Sequence, residues 1–160
     1  MASAESVYVT YIAATPERVW QGLTDPDFTE QYWGGCRITS DWQVGSKIEH
    51  LGPNGQAGWV GEVLACDPPQ LLSYTFDMRI DEAHRRDAPS RVTFLLEVVQ
   101  DVVKLTLTHD RHEPGSATHE NTRHGWPAIM SSLKSLIETG RPLPFARLGF
   151  APSQRQEHRQ

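Results

Sequence analysis

Seven histidines among 160 residues raise the question of a metal site. His109 and His112 flank Asp110 and precede Glu113. Three residues apart on an extended strand they should point to opposite faces, so a shared ion would require the chain to fold back. In the run His119-Glu120-Asn121-Thr122-Arg123-His124 two histidines bracket an acid, as in a zinc-protease helix, but with one residue too many. On a helix that spacing separates the side chains by about 140°, against the neighbouring i,i+4 placement that a shared zinc needs. The expectation is therefore solvated or loop-capping histidines, with no metal and no cofactor. Gly52, Gly55 and Gly58 lack the lysine of a phosphate-binding loop and do not join a strand to a helix. No G-x-S-x-G elbow is present, and Cys36 and Cys66 have no C-x-x-C neighbour, so both read as small buried thiols.

The aromatic residues carry more. Trp33, Trp42, Trp59 and Trp126 combine with Tyr74, Phe76 and Phe94, and with Tyr32 near them in the pattern. Such rings fill ordinary cores, and rigid aromatic walls with a few polar groups are also what an apolar ligand site requires. The candidate ligand-binding residues are Trp33, Trp42, Trp59, Tyr74, Phe76, Phe94, Trp126 and Met130. Polar candidates beside them are Arg37, Asp41, Glu49, His50 and His109. If a reaction were catalysed, Asp41, Glu49 and His109 would be the general acids and bases to consider. Asp41 serves equally well as the turn residue capping the bend at Val44-Gly45.

The elements that would position them follow from periodicity. Residues 7–12 alternate as a strand. Thr15-Pro16-Glu17 then gives an N-cap, a first-turn proline and an acid, and Asp25-Pro26 repeats the signal, so two short helices are predicted before Gly34-Gly35. Strand-length runs follow at 37–40, 47–51, 57–66, 71–78, 91–99 and 102–109, separated by turn residues in the manner of a meander. The charged stretch 79–90 reads as a solvated loop. On the strand 91–99, Val92, Phe94, Leu96 and Val98 share the inner face. Leu95 and Val99 suit solvent poorly, which predicts that part of the outer face is covered. Trp126, Ile129, Met130, Leu133, Leu136 and Ile137 recur at helical spacing before Gly140, giving one long helix that Pro127 either starts or kinks. The fold class is thus α+β: a curved antiparallel sheet of about seven strands, ordered β-α-α-β6-α, wrapped on a C-terminal helix with a cavity between them. Residues 1–145 read as one domain and 146–160 as a polar tail.

Composition excludes several classes. A net charge of −5 denies the chain the positive field that non-specific nucleic-acid binding requires. No stretch approaches the length of a membrane span and the N-terminus lacks a secretory pattern, so the expected location is the cytoplasm, with no membrane partner.

Several segments together resemble a known family. They are ATPERVWQGLTDPDFTEQYWGG, the turn DWQVGSKIE, GEVLACDPPQLLSYTF, the hairpin RVTFLLEV and VVKLTLTH, and HGWPAIMSSLKSLIETGRPL. The chain resembles the activator of heat-shock-protein-90 ATPase homologue-like domains of the START-like, SRPBCC or Bet v-type helix-grip superfamily. The resemblance runs from about Val7 to Pro142, and its most specific part is Gly125-Trp126 leading into a Leu-x-x-Leu helix that ends in Glu-Thr-Gly. Ser46 departs from it, standing where many relatives carry a second glycine. The resemblance implies a helix-grip fold with a cavity and, for stand-alone members, small-molecule binding or a stress-linked role. A polyketide cyclase or dehydratase-like or hydrolase activity in the same cavity is the enzymatic alternative. A chaperone partner and a homodimer are further alternatives that the resemblance brings with it.

Overall fold

A computed structural model describes residues 4–144; residues 1–3 and 145–160, which contain the expected polar tail, lie outside it. Period-two alternation yields β1 (Ala4–Ile12), β2 (Arg37–Ser40), β3 (Lys47–Leu51), β4 (Ala57–Asp67), β5 (Leu71–Met78), β6 (Ser90–Val99) and β7 (Val102–His112). They form one antiparallel sheet in the order β1-β7-β6-β5-β4-β3-β2. The chain crosses once, when α1 (Pro16–Thr24) and α2 (Pro26–Tyr32) carry it from β1 at one edge to β2 at the other. Both helices begin as their sequences require. Thr15 Oγ1 accepts from the Arg18 N–H at 3.2 Å, and Asp25 Oδ1 accepts from the Asp27 N–H at 2.9 Å, with proline in each first turn.

The long helix α4 spans Ala117–Thr139 and so begins well before Trp126. Ser116 Oγ caps it by accepting from the His119 N–H at 3.1 Å, and Gly140 closes it in the left-handed conformation, φ 82°. Pro127 therefore lies inside the helix, on its exposed face. The stretch 79–90 is also more than a solvated loop. It contains a one-turn helix, α3 (Glu82–Arg85), capped by Asp81, with His84 buried and Asp87 Oδ2 accepting from the Thr118 N–H at 2.8 Å. That carboxylate gives α4 a second cap from outside the helix, a contact across the chain that local pattern cannot reveal.

Trp126, Ile129, Met130, Leu133 and Leu136 are buried on the inner face of α4, while Ile137 is half-buried. Gly22 lets α1 lie close to this helix, since a Cβ there would sit 2.8 Å from Leu133 Cδ1. At the β1 edge the Lys134 ammonium donates to the Tyr11 carbonyl at 2.6 Å and Glu138 Oε2 accepts from the Ala13 N–H at 2.7 Å. The opposite, outer face of the sheet departs from expectation. Leu95 and Val99 are exposed rather than covered, and Val98, expected inside, is 63% exposed near the turn that ends β6. One helical layer covers one face only, so the apolar side chains of the other face meet solvent. No helix among the described residues is long and apolar enough to cross a membrane. Leu133→Ala should lower unfolding free energy by about 2–5 kcal/mol, the range for deleting a packed core side chain, measured by urea denaturation. A loss under about 0.5 kcal/mol would place Leu133 at the surface.

Candidate functional site

The inner face of the sheet and the buried face of α4 bring most of the candidate aromatics into one contiguous layer. Trp33 follows α2 as its C-cap residue and lies edge-on to His50, with ring centroids 5.2 Å apart, and to Trp126 at 5.3 Å. Trp59 on β4 is stacked between His50 at 5.3 Å and Tyr74 at 5.2 Å and tilts onto Phe76 at 4.7 Å. Phe94 extends the layer, 6.1 Å from Tyr74 and 6.3 Å from Trp126. Met130 is buried on α4, one turn beyond Trp126. Trp42 is different: it lies in the turn after β2 with φ 55° and is half-buried against the core. These separations are in the range of favourable edge-on and offset aromatic pairs.

Two histidines lie within this layer, and their hydrogen bonding differs. The Trp126 indole, which can only donate, gives its N–H to His109 Nδ1 at 2.9 Å. The proton of the neutral imidazole is then on Nε2, which donates to Ser90 Oγ at 2.6 Å. The Ser90 hydroxyl in turn donates to the Phe76 carbonyl at 3.2 Å. His109 thus gives a proton to Ser90 rather than taking one, the reverse of what an activated serine nucleophile requires. Burial, with His112 close by, pulls the His109 pKa down to about 3 and keeps the ring neutral. His50, opposite Trp59 in the β3–β4 register, is equally buried, and its pKa also falls to about 3 through desolvation, its own backbone opposing. Beyond that backbone neither ring nitrogen of His50 has a hydrogen-bond partner in the protein, and Trp59 Nε1 has none. Gly58 makes room for this ring, because a Cβ there would lie 2.7 Å from His50 Nδ1.

His109 and His112 do not point apart as regular alternation predicts. The β1–β7 register slips between Ala4 and Ser6, and Arg111 adopts φ 66°, so both imidazoles turn inward with centroids 4.5 Å apart. His112 stacks on His119 of α4 at 4.5 Å and 21° between planes, whereas His124 is exposed. Among the described residues no three histidine, cysteine or acidic side chains are arranged to hold a metal ion. The geometry accounts for this: both His109 nitrogens are occupied, and the in-plane lone pairs of two stacked rings run side by side instead of converging. The expectation of solvated or capping histidines fails for His50, His84, His109 and His112, all buried.

The acid–base candidates divide between the two faces. Glu49 lies between buried Ile48 and His50 and so points to the outer face, where it lines a concavity of about 310 Å³ with Thr39, Ser40, Asp41 and Lys47. Lys47 Nζ is 3.8 Å from Glu49 Oε2, in the open. Asp41 and Glu49 are brought together, and His109 is on the other side of the sheet. Arg37 is engaged at the surface by Asp27 and Glu30, at 2.9 and 3.1 Å.

The buried imidazoles have a consequence for stability. Folded His50 and His109 stay neutral down to about pH 3, while an unfolded histidine takes up a proton below about pH 6.5, so the unfolded state binds more protons between those limits. Their contribution is complete above about pH 6.5 and is lost on acidification, at about 1.4 kcal/mol per pH unit for each ring. Urea midpoints at pH 7 and 5 should therefore show a steep loss in the wild type and a shallower one in His50→Phe. Equal slopes would show that His50 titrates normally.

Comparison with known proteins fits this architecture. A family profile described as activator of Hsp90 ATPase homolog 1-like protein matches residues 13–138. No curated protein matches significantly in sequence. The Aha1 dimer from Colwellia psychrerythraea has a similar structure, TM-score 0.70 at 23% identity, covering 86% of this chain and 98% of that one. A Mesorhizobium loti protein matches with TM-score 0.70 at 27% identity, over 84% of this chain and 96% of its own. An Hsp90 activator from Plasmodium falciparum matches with TM-score 0.63 at 21% identity, over 79% and 88%. With a seven-stranded antiparallel sheet closed on a C-terminal helix and a profile match over most of its length, the chain belongs to the activator of Hsp90 ATPase homolog 1-like family, with the helix-grip fold.

Proposed function

We propose that this protein binds a small apolar or aromatic molecule between α4 and the inner face of the sheet, beside Trp33, Trp59 and Trp126. The observation that carries this reading is His50. It lies in an aromatic layer, 3% exposed, and its ring nitrogens find no partner beyond their own backbone. An unpaired buried polar group costs about 1–3 kcal/mol, so an evolved core replaces it or supplies a partner. A ligand is such a partner. Tyr74, Phe76, Phe94 and Met130 continue the apolar wall away from His50. The separation of Asp41 and Glu49 from His109 favours binding over a cyclase, dehydratase or hydrolase reaction, which needs its acid and base within reach of one substrate.

The covers nearest this place are the turn after Trp33 and the turn after β3. A Cβ on Gly35 would lie 3.1 Å from Pro53 Cγ, and one on Gly52 would lie 4.0 Å from Cys36 Sγ, so the two turns touch above the ring layer. Entry requires them to part. Saturable quenching of tryptophan emission by an aromatic probe, with a rise in Tm, is expected. In Gly52→Cys, oxidation to a Cys36 disulfide should slow association at least tenfold, and a reductant should restore it. A diverse apolar library that gives no saturable change in the reduced protein would refute binding.

A protein-interaction role is the second reading, favoured by the outer face of β1, where Val7, Val9 and Tyr11 are each about half exposed. Self-association into a homodimer and docking to a heat-shock chaperone both fall under it. Val7→Glu with Val9→Glu should abolish either association in sedimentation velocity and leave probe binding unchanged. Association that survives the double substitution would exclude this face.

A further inference from the structure

The outer face of the sheet can be followed row by row through the register of β1, β7, β6 and β5. One row holds Val7, Thr108, Thr93 and Ser73, and the next holds Val9, Thr106, Leu95 and Leu71. Neither row contains a charge. Val7, Val9 and Leu95 are exposed, and the threonine methyls between them keep the surface apolar, with no helix to cover it. Charge returns at the two ends. At one end Lys104 on β7 lies opposite Glu97 on β6. At the other, the Asp110 carboxylate on β7 accepts two hydrogen bonds from the Arg91 guanidinium on β6, at 2.9 and 2.6 Å.

The order of signs is reversed between the ends: β7 runs from positive to negative and β6 from negative to positive. Tyr8, Leu107 and Phe94 lie side by side midway between them. A two-fold axis parallel to the face, running across the strands at that level, superposes one end on the other. A second copy turned about this axis lays its Asp110 over Lys104 and its Arg91 over Glu97, and each contact occurs twice. Its Val7 meets Val9, its Thr93 meets Leu95, and its Glu5 comes over the Tyr11 hydroxyl, which can donate to it. Turning the copy about an axis along β7 instead would set Lys104 on Lys104 and Asp110 on Asp110. The chain carries a net charge of −5, so two copies repel unless the surfaces that meet offer each other opposite charge. The outer face does so in one orientation, with strands aligned as in ordinary packing of two sheets.

We propose that the outer face of the sheet is the docking surface for a second copy of this chain, packed sheet on sheet about a two-fold axis that sets Lys104 against Asp110 and Glu97 against Arg91. The proposal rests on the protein-interaction reading above and adds the partner and the arrangement.

The test follows the full chain by sedimentation velocity from about 10 μM to about 1 mM, where a reversible dimer that weakens with added salt is expected. Exchanging the rim charges, Glu97→Lys with Lys104→Glu, keeps the opposite pair within each copy, the apolar rows and the net charge, but brings like charges together at every one of these contacts. It should weaken self-association at least tenfold and leave Tm unchanged. A second readout needs no variant to fold. Lys104 and Asp110 stand six residues apart on one strand, about 20 Å, so an amide formed between them by a carbodiimide and found by peptide mass spectrometry can arise only between copies. A chain that stays monomeric up to about 1 mM would overturn the proposal and leave the interaction reading to a different partner. A dimer undiminished by the exchange, without the Lys104–Asp110 link but lost in Val7→Glu with Val9→Glu, would overturn this arrangement and leave that reading standing. A dimer that survives both sets of substitutions would overturn the interaction reading of this face itself.

Discussion

The hydrogen bond from the Trp126 indole to His109 Nδ1 ties the long helix to the sheet, and the rest of the interior is arranged around it. Through His109 it continues to Ser90 and the Phe76 carbonyl, so one polar chain joins α4, β7, β6 and β5 inside an otherwise apolar core. Dispersion and apolar burial hold the helix on the sheet without fixing its rotation. A donor-only indole facing one nitrogen fixes that rotation, because turning the helix would leave Nδ1 and the indole N–H both unpaired. The fixed rotation in turn aligns Trp126 edge-on to Trp33 and beside Phe76, which defines the ring layer in which His50 lies.

That arrangement explains why two chemically identical, neutral histidines play different parts. His109 is closed, with each nitrogen bonded to a group that the fold supplies. His50 is open. Both lower stability on acidification for the same reason, the exclusion of a charged imidazole from the interior. Of these two rings, only His50 has bonding capacity to spare. The space that Gly58 leaves for it indicates that the backbone of β4 is shaped to keep that ring in place.

Much of the architecture was legible because it follows from local rules: caps at Thr15 and Asp25, alternation in β6 and β7, and helical recurrence from Trp126 to Ile137. The errors arose where a distant residue intervenes. Asp87 adds a cap from another segment to the α4 start that Ser116 makes at Ala117, and the slip between β1 and β7 turns His112 inward. Neither leaves a mark in nearby sequence. The rings that form the inner layer can be picked out in the sequence by type and number, but not their contacts; Trp42, in a left-handed turn, packs only in part against that core. The Ser90–His109–Trp126 chain was not, since it depends on the register that pairs Val92 with His109. Asp41, Glu49 and His109 were grouped by residue type, which could not say which face each occupies; alternation around Ile48 and His50 assigns Glu49, with Asp41 beside it, to the outer face and leaves His109 on the inner one.

Within one helix-grip fold the two faces of β3 therefore carry opposite chemistry on adjacent residues. Glu49 is solvated and sits near a lysine, where a charge is cheap to hold and weakly felt. His50, one residue on, is desolvated, where a charge is excluded and a single neutral hydrogen bond is strongly felt. The same desolvation makes an imidazole nitrogen without a partner costly in this interior. The acid sensitivity expected of the fold thus has its origin in the burial of this ring and of His109.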